Sequence, residues 1–175
     1  MRKVSFAMNI SLDGYCDHTL GIPSDEMMDY FTNLMADVDL MFYGRTMYEM
    51  MFPYWADVAR DRSGSPAENR FADRICAIEN IVMSKSTTDS SPAEVLRKLK
   101  RSPGQTISVD TVSMLPELIT AGLIDEFHLV IHPVFSGNGR PLLPSGSLPD
   151  LTRLKLTGTQ TFANGCVALR YTLGD

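Results

Sequence analysis

The chain of 175 residues is long enough for one domain that buries a core without help from disulfides or metals. Its composition, 44% hydrophobic and 21% charged, is normal for a globular protein, and its net charge of -5 argues against a nucleic-acid partner, which usually needs a basic face. The three cysteines stand far apart without a CxxC pair. We therefore predict neither a disulfide framework nor a metal site, and we expect a reducing, cytoplasmic compartment.

The N-terminal segment contains Asn9, Ser11 and Asp13, which interrupt its short apolar stretch. We interpret it as a strand rather than a signal peptide. No run in the chain approaches the roughly 18 apolar residues that a membrane helix needs, so no membrane partner is expected.

Short strands and helices alternate along most of the chain. In order, we predict a strand at 3–10, a helix at 25–36, a strand at 39–43, a helix from about 46, a helix at 67–78, a strand at 80–84, a helix at 92–100, a strand at 106–109, a helix at 112–121, a strand at 125–134 and two strands within 151–173. Ser24 and Pro92 are typical helix starts, and Asn164-Gly165 is a hairpin dipeptide.

This order of elements predicts an α/β fold. Its sheet is expected to be mixed and mainly parallel, flanked by helices, with an antiparallel C-terminal hairpin. Neither a repeat nor a linker interrupts the pattern, so residues 1–175 are expected to form a single domain.

Open α/β sheets bind ligands beyond the carboxyl ends of their strands, which directs attention to the strand ends. Gly44, Arg45 and Thr46 stand where a strand meets a helix, and the free N–H groups and dipole of a helix start favour an anion there. A plain helix cap beside a solvated Arg45 is an equally good interpretation of the local pattern.

Two further strand ends carry polar residues. Ser84, Lys85 and Ser86 would suit a phosphate or a ribose, although an ordinary polar turn is favoured on spacing alone. Asp110 and Thr111 stand between a strand and a helix, where their pattern indicates only capping.

Acidic residues also cluster after the first strand. Asp13 and Asp25 could contact a polar substrate or donate a proton through water. Each could equally be a turn residue or a first-turn helix acid, where a carboxylate is favourable in any case.

Several longer segments together resemble a known family. They are SLDGY at 11–15, YGRTMYEM at 43–50, NIVMSKST at 80–87 and GLIDEFHLVIHPVFSGNGRPLL at 122–143. Their order and spacing resemble the dihydrofolate-reductase-like superfamily, and above all the stand-alone proteins similar to the reductase domain of the bifunctional riboflavin-biosynthesis deaminase/reductase. The resemblance covers nearly the whole chain, and the segment at 122–143 is its most specific part.

The resemblance implies a sheet of eight or nine strands and an NADPH-dependent reduction. The substrate would be a small pyrimidine or pteridine-like ring, similar to the phosphoribosylamino-uracil of riboflavin biosynthesis, and dihydrofolate is a less favoured alternative. The cofactor would supply the hydride while the protein aligns the two rings. The family also implies a homodimer that pairs through the C-terminal strands.

The resemblance assigns roles to the cofactor candidates. Gly44, Arg45 and Thr46 match the segment that holds the cofactor phosphates. Ser84, Lys85 and Ser86 match the part near the adenosine ribose, where Lys85 would favour NADPH over NADH.

It also assigns the substrate candidates. Asn9 and Asp13 match residues that face the substrate, and Asp25 matches, within a residue or two, the active-site acid of dihydrofolate reductases. Asp13 and Asp25 are therefore the catalytic candidates, and all three residues are substrate-binding candidates.

One departure from the family pattern concerns the cofactor. Asp110-Thr111 replaces a Gly-Gly pair that lets the helix approach the cofactor pyrophosphate. A carboxylate about 4 Å from a phosphate charge costs roughly 4 kcal/mol at an effective dielectric of about 20, which is about a thousandfold in affinity. The departure leaves two alternatives to a working reductase: a non-catalytic or altered ligand-binding protein, and a structural homodimer subunit with a vestigial pocket.

Overall fold

The computed structural model describes residues 1–16, 21, 24–84 and 90–174. The strands in these ranges are β1 (Lys3–Ser11), β2 (Tyr15–Cys16), β3 (Val38–Gly44), β4 (Glu79–Met83), β5 (Thr106–Asp110), β6 (Glu126–His132), β7 (Arg140–Pro141), β8 (Leu154–Thr161) and β9 (Val167–Leu173). The helices are α1 (Asp25–Leu34), α2 (Arg45–Asp61), α3 (Pro66–Cys76), α4 (Pro92–Arg101) and α5 (Leu115–Thr120).

The main sheet has seven strands in the order β4-β3-β5-β1-β6-β9-β8. The strands β1, β3, β4, β5 and β6 run parallel, whereas β9 is antiparallel to both of its neighbours, β6 and β8. The short strands β2 and β7 form a separate antiparallel ladder. The predicted mixed, mainly parallel sheet with an antiparallel C-terminal hairpin is confirmed, and the strands of the described ranges divide between two sheets.

The helix starts predicted at Ser24 and Pro92 are confirmed by their capping bonds. The Ser24 hydroxyl accepts a hydrogen bond from the backbone N–H of Met27, 3.2 Å away. In α4, Ser91 and Glu94 form a reciprocal capping box around Pro92, which occupies the first turn. None of the helices in the described ranges is long and apolar enough to cross a membrane.

Several predicted bounds differ from the structure by one or two residues or more, and two of these differences have a clear physical reason. The helix expected at 112–121 is only Leu115–Thr120, because the Thr111 hydroxyl accepts from the N–H of Met114 and the residues before it form a turn. The strand expected at 125–134 is Glu126–His132, and Pro133, which has no N–H to donate, follows its last residue.

The most specific sequence segment contains a residue that holds several elements together. One oxygen of Asp125 accepts from the backbone N–H of Val4 at 2.8 Å, and the same carboxylate pairs with the Lys100 ammonium at 2.7 Å. Asp125 precedes β6 and thereby joins it to β1 and α4. Its part in the resemblance is structural.

The alternation of β1 decides which side chains are available for chemistry. Val4, Phe6, Met8 and Ile10 lie in the core, whereas Asn9 on the opposite face remains partly exposed. The carboxyl end of β1 therefore combines an apolar face that holds the strand in place with a polar face that reaches solvent.

Candidate active site

The carboxyl ends of the parallel strands bring the polar residues of the site to one edge of the sheet. At this edge β1 ends at Ser11, β3 at Gly44, β4 at Met83, β5 at Asp110 and β6 at His132. The chain runs from the end of β1 towards α1 and from β3 directly into α2. This edge is the expected ligand position in an open α/β sheet.

Asp13 is an exposed residue that anchors a loop. Its carboxylate accepts from the Ser11 hydroxyl at 2.6 Å and from the backbone N–H groups of Ser136 and Gly137 at 3.0 and 2.7 Å. These bonds, that of Ser11 first, lower the pKa of Asp13 to about 2. The residue is therefore ionised at neutral pH and holds no proton of its own to donate.

Asn9 is the first member of a polar line that runs into the protein. Its side-chain oxygen lies 3.2 Å from Nε2 of His132, and Nδ1 of His132 lies 3.3 Å from the sulfur of Cys166. His132 and Cys166 are buried, and burial lowers the pKa of the imidazole and raises that of the thiol. The histidine is therefore neutral and the cysteine is a thiol at pH 7.

Asp25 lies at the first position of α1. Its carboxylate is exposed and accepts from the Ser65 hydroxyl at 2.6 Å, which joins α1 to the start of α3. Asp25 belongs to the helix that follows the carboxyl end of β1, but in the described residues it has no hydrogen bond to Asn9 or Asp13.

The start of α2 has the features of an anion site. Gly44 caps the helix without a side-chain hydrogen bond, the first turn contains no acidic residue, and Arg45 and Thr46 are exposed. The N–H groups of this 17-residue helix therefore present a positive end with a cation beside it. The residues present fit a phosphate group of a nucleotide cofactor at this position.

Thr111 fills the space beside Gly44. A Cβ atom on Gly44 would stand 2.7 Å from the Thr111 hydroxyl oxygen, and Thr111 is only 1% exposed. The hydroxyl also lies 3.4 Å from that of Ser113. Thr111 therefore works as a packing and turn residue, and its hydroxyl does not face solvent where a phosphate would arrive.

Asp110 is turned towards the face of the sheet that carries Tyr43. The two residues are register partners on neighbouring strands, so their side chains share a face. Burial raises the pKa of Asp110 to about 7, and burial followed by the Asp110 charge raises the pKa of Tyr43. The Tyr43 hydroxyl is buried and has no hydrogen-bond partner among the residues that the structure describes. An ionisable acid with a raised pKa thus stands at the carboxyl end of β5.

Ser84 follows β4 at the same edge of the sheet and is partly buried. The predicted partners Lys85 and Ser86 lie outside the described residues. Within the described ranges, no group of three or more His, Cys, Asp or Glu side chains could hold a metal ion.

A separate pocket opens beneath α1, away from the strand ends. Its volume is about 170 Å³, and its lining includes Tyr30, His128, Gly158, Gln160 and Arg170. The Tyr30 hydroxyl lies 3.2 Å from Nδ1 of His128. None of the residues predicted from the sequence to form the site lines this pocket.

Sequence reasoning missed His132 as a functional candidate. His128 and His132 lack metal-ligand spacing, and spacing alone does not reveal what a histidine at a strand end contacts. The signal was available, because His132 belongs to the most specific segment and ends a strand next to β1.

The sheet order and the polar edge define a protein of the dihydrofolate-reductase-like fold. The chain belongs to the RibD C-terminal domain family, whose sequence model matches residues 2–168. It is 26% identical over 183 residues to the YyaP protein of Bacillus subtilis, an alignment that covers 97% of this chain and 94% of that protein.

Solved structures share the fold at low identity. A Shewanella sp. PV-4 protein assigned to riboflavin biosynthesis superposes with a TM-score of 0.72 at 18% identity, covering 100% of both chains. A pyrimidine reductase-like protein from Corynebacterium diphtheriae gives 0.64 at 17%, covering 99% of this chain and 92% of that one. Dihydrofolate reductase from Enterococcus faecalis, solved with NADP(H), gives 0.60 at 14%, covering 99% and 97%.

Proposed function

We propose that the protein is an NADPH-dependent reductase of a small pyrimidine or pteridine-like ring. The observation that carries the proposal is the family match over residues 2–168, combined with the uncapped, acid-free start of α2 at the ligand edge of the sheet. Membership of the RibD C-terminal domain family and the likeness to a pyrimidine reductase-like protein support a reductase of this kind.

The cofactor, when bound, supplies the hydride. The N–H groups at the start of α2, with Arg45 and Thr46, would hold its phosphates. Ser84 would contact the ribose phosphate that distinguishes NADPH from NADH, and the resemblance assigns Lys85 and Ser86 to the same group.

Asn9 orients the substrate from the polar face of β1. Asp13 acts through its charge or through a bound water, because its low pKa leaves it without a proton at neutral pH. Asp25 is exposed at the start of α1, and we assign it to contact with the substrate, directly or through a water.

A second function is favoured by Asp110 and Thr111. Thr111 occupies the space beside Gly44, and Asp110 becomes negatively charged above about pH 7. Both features oppose a pyrophosphate at the end of β5. The alternative is therefore a protein of the same fold that binds a different or uncharged ligand and does not use NADPH.

A titration with NADPH separates the two functions. Trp55 lies in α2 and packs on Phe71 with ring centroids 4.7 Å apart, so its fluorescence reports on the helix that would hold the phosphates. The native chain and the Asp110→Gly/Thr111→Gly double variant are titrated with NADPH and with NADH. Arg45→Ala serves as the variant expected to weaken both.

The outcomes point in opposite directions. Micromolar binding by the native chain, tighter for NADPH than for NADH, supports the reductase and leads to a screen of pyrimidines, pteridines and dihydrofolate by loss of NADPH absorbance. Binding that appears only in the double variant supports the altered ligand-binding protein and overturns the reductase.

We also propose a homodimer formed through the apolar face of β8 and β9. Leu154 and Leu156 on β8 lie opposite Leu173 and Tyr171 on β9, so the four side chains share one face, and the three leucines are exposed. Exposed apolar patches of this kind mark interaction surfaces.

We propose a cytoplasmic protein, in keeping with the free thiols of its three cysteines.

A further inference from the structure

The line from Cys166 through His132 to Asn9 connects the core to the substrate edge. The two contacts are 3.3 Å from sulfur to Nδ1 and 3.2 Å from Nε2 to the side-chain oxygen of Asn9. Cys166 is 0% exposed and His132 is 3% exposed, whereas Asn9 keeps part of its surface in solvent. The buried Cys166 cannot reach a ligand, but it is linked through His132 to Asn9, which can.

Hydrogen-bond chemistry gives this line a direction. A neutral imidazole has one donor nitrogen and one acceptor nitrogen, and a thiol donates weakly and accepts weakly. If the Cys166 thiol donates to Nδ1, the proton of His132 sits on Nε2 and donates to the amide oxygen of Asn9, which is a strong acceptor. The opposite direction would leave an N–H bonded to a poor sulfur acceptor.

The direction fixes the amide of Asn9. Its oxygen is occupied by His132, so its NH2 group is left on the other side of the side chain, and no described residue accepts from it. An amide with a free NH2 group offers donors to a ligand and no acceptor.

We propose that Cys166 and His132 are positioning residues that hold Asn9 with its NH2 group towards the substrate, so that the site selects rings presenting a hydrogen-bond acceptor, such as a carbonyl oxygen, over rings presenting an amino group. The inference rests on the proposed function, because it takes Asn9 as a substrate contact. A ring with an amino group at this position would leave two donors facing each other. Mismatches of this kind cost about ten- to hundredfold in affinity.

The tautomer of His132 is tested without any ligand. Nitrogen NMR of the native chain, with the imidazole signals of His132 assigned by through-bond correlation to its own backbone, shows which ring nitrogen carries the proton. A proton on Nε2 is expected, and a proton on Nδ1 overturns the proposal whatever the protein catalyses. The measurement needs only the folded native chain, so it stands even if a core variant fails to fold.

The selectivity is tested with two matched probes, a dioxopteridine and the corresponding diaminopteridine, titrated in the presence of NADPH. The native chain is expected to prefer the dioxo ring by about tenfold or more. Cys166→Ser keeps a donor to Nδ1 and should retain that preference. Cys166→Ala removes the donor, frees the tautomer and should reduce the preference to near unity, and Asn9→Asp should reverse it.

The two proposals fail in distinguishable ways. If the native chain does not bind NADPH, the reductase proposal fails while the tautomer result still decides the positioning role. If the probes bind equally well to the native chain and to Cys166→Ala, the positioning role is overturned, even where NADPH is consumed.

Discussion

The carboxylate of Asp13 accepts a hydrogen bond from the backbone N–H of Gly137 at 2.7 Å, across 124 positions of the chain. Asp13 belongs to the turn after β1, and Gly137 belongs to the loop after β6. Two of the segments that carry the family resemblance, 11–15 and 122–143, are thereby joined directly. The charged carboxylate of Asp13 accepts from two backbone N–H groups and thereby holds this loop against the end of β1.

Replacing Asp13 with Ala should therefore release the loop. We expect amide exchange at Ser136 and Gly137 to become faster by roughly tenfold or more, the scale of losing a hydrogen bond to a charged group. Hydrogen-exchange NMR measures it, with Asp13→Asn as the partial control. Since the pKa of Asp13 is lowered to about 2, the same protection in the native chain should be complete above about pH 4 and lost as the pH falls towards 2. Unchanged exchange in Asp13→Ala would contradict the anchoring role.

The contact between Gly44 and Thr111 predicts a coupled pair of substitutions. Gly44→Ala places a Cβ 2.7 Å from the Thr111 hydroxyl oxygen and 3.1 Å from its Cβ, and should destabilise the fold by about 1–3 kcal/mol. In the background of Thr111→Gly the same Ala has room, so most of that loss should disappear. Denaturant unfolding of the four chains gives the coupling. If the two substitutions change the free energy of unfolding additively, the Thr111 side chain is not what excludes a Cβ atom at residue 44.

The raised pKa of Asp110 predicts a pH-dependent stability. The folded chain prefers the protonated acid, so stability is lost as the pH rises from the ordinary value of 3.8 through about 7. Asp110→Asn cannot ionise, and should exceed the native chain in free energy of unfolding by up to about 4 kcal/mol at pH 9 while differing little at pH 4. Denaturant curves at both pH values measure the difference. If Asp110→Asn raises the free energy of unfolding equally at the two pH values, the pKa of Asp110 is not raised in the folded chain.

Asp110 also predicts how cofactor affinity changes with pH, if the protein binds NADPH as proposed. Above pH 7 the carboxylate becomes charged beside the pyrophosphate position, so affinity should fall, by at most about tenfold per pH unit when binding requires the protonated acid. Calorimetry measures the NADPH affinity of the native chain and of Asp110→Asn between pH 6 and 9. A loss of affinity seen only in the native chain comes from Asp110, whereas a loss seen in both comes from protonation changes of the cofactor. If the affinity of both chains changes with pH in the same way, Asp110 does not lie beside the bound cofactor.

The sequence predicted much of the architecture because period and capping are local. Ser24 and Pro92 start helices where the pattern placed them, and the parallel strands follow from the alternation of elements. The orientation of Asp110 is not local, because it depends on which residue of β3 stands opposite, and that residue is Tyr43. The contact from His132 to Asn9 spans 123 positions and depends on β6 lying beside β1. Such partners emerge only once the strand order is known.

The exposed apolar face of β8 and β9 yields the last prediction. Leu156 is 51% exposed and lies opposite Tyr171, whereas Gln160 lies opposite Ala168 and faces the pocket beneath α1. If a second copy covers the leucine face, Leu156→Lys should convert a dimer to a monomer, because each charge would be buried against apolar side chains. Gln160→Lys, on the opposite face of the same strand, should leave the dimer intact. Light scattering at several concentrations measures both variants. A native chain that is monomeric throughout, or a dimer broken equally by both substitutions, would show that this face is not where the copies meet.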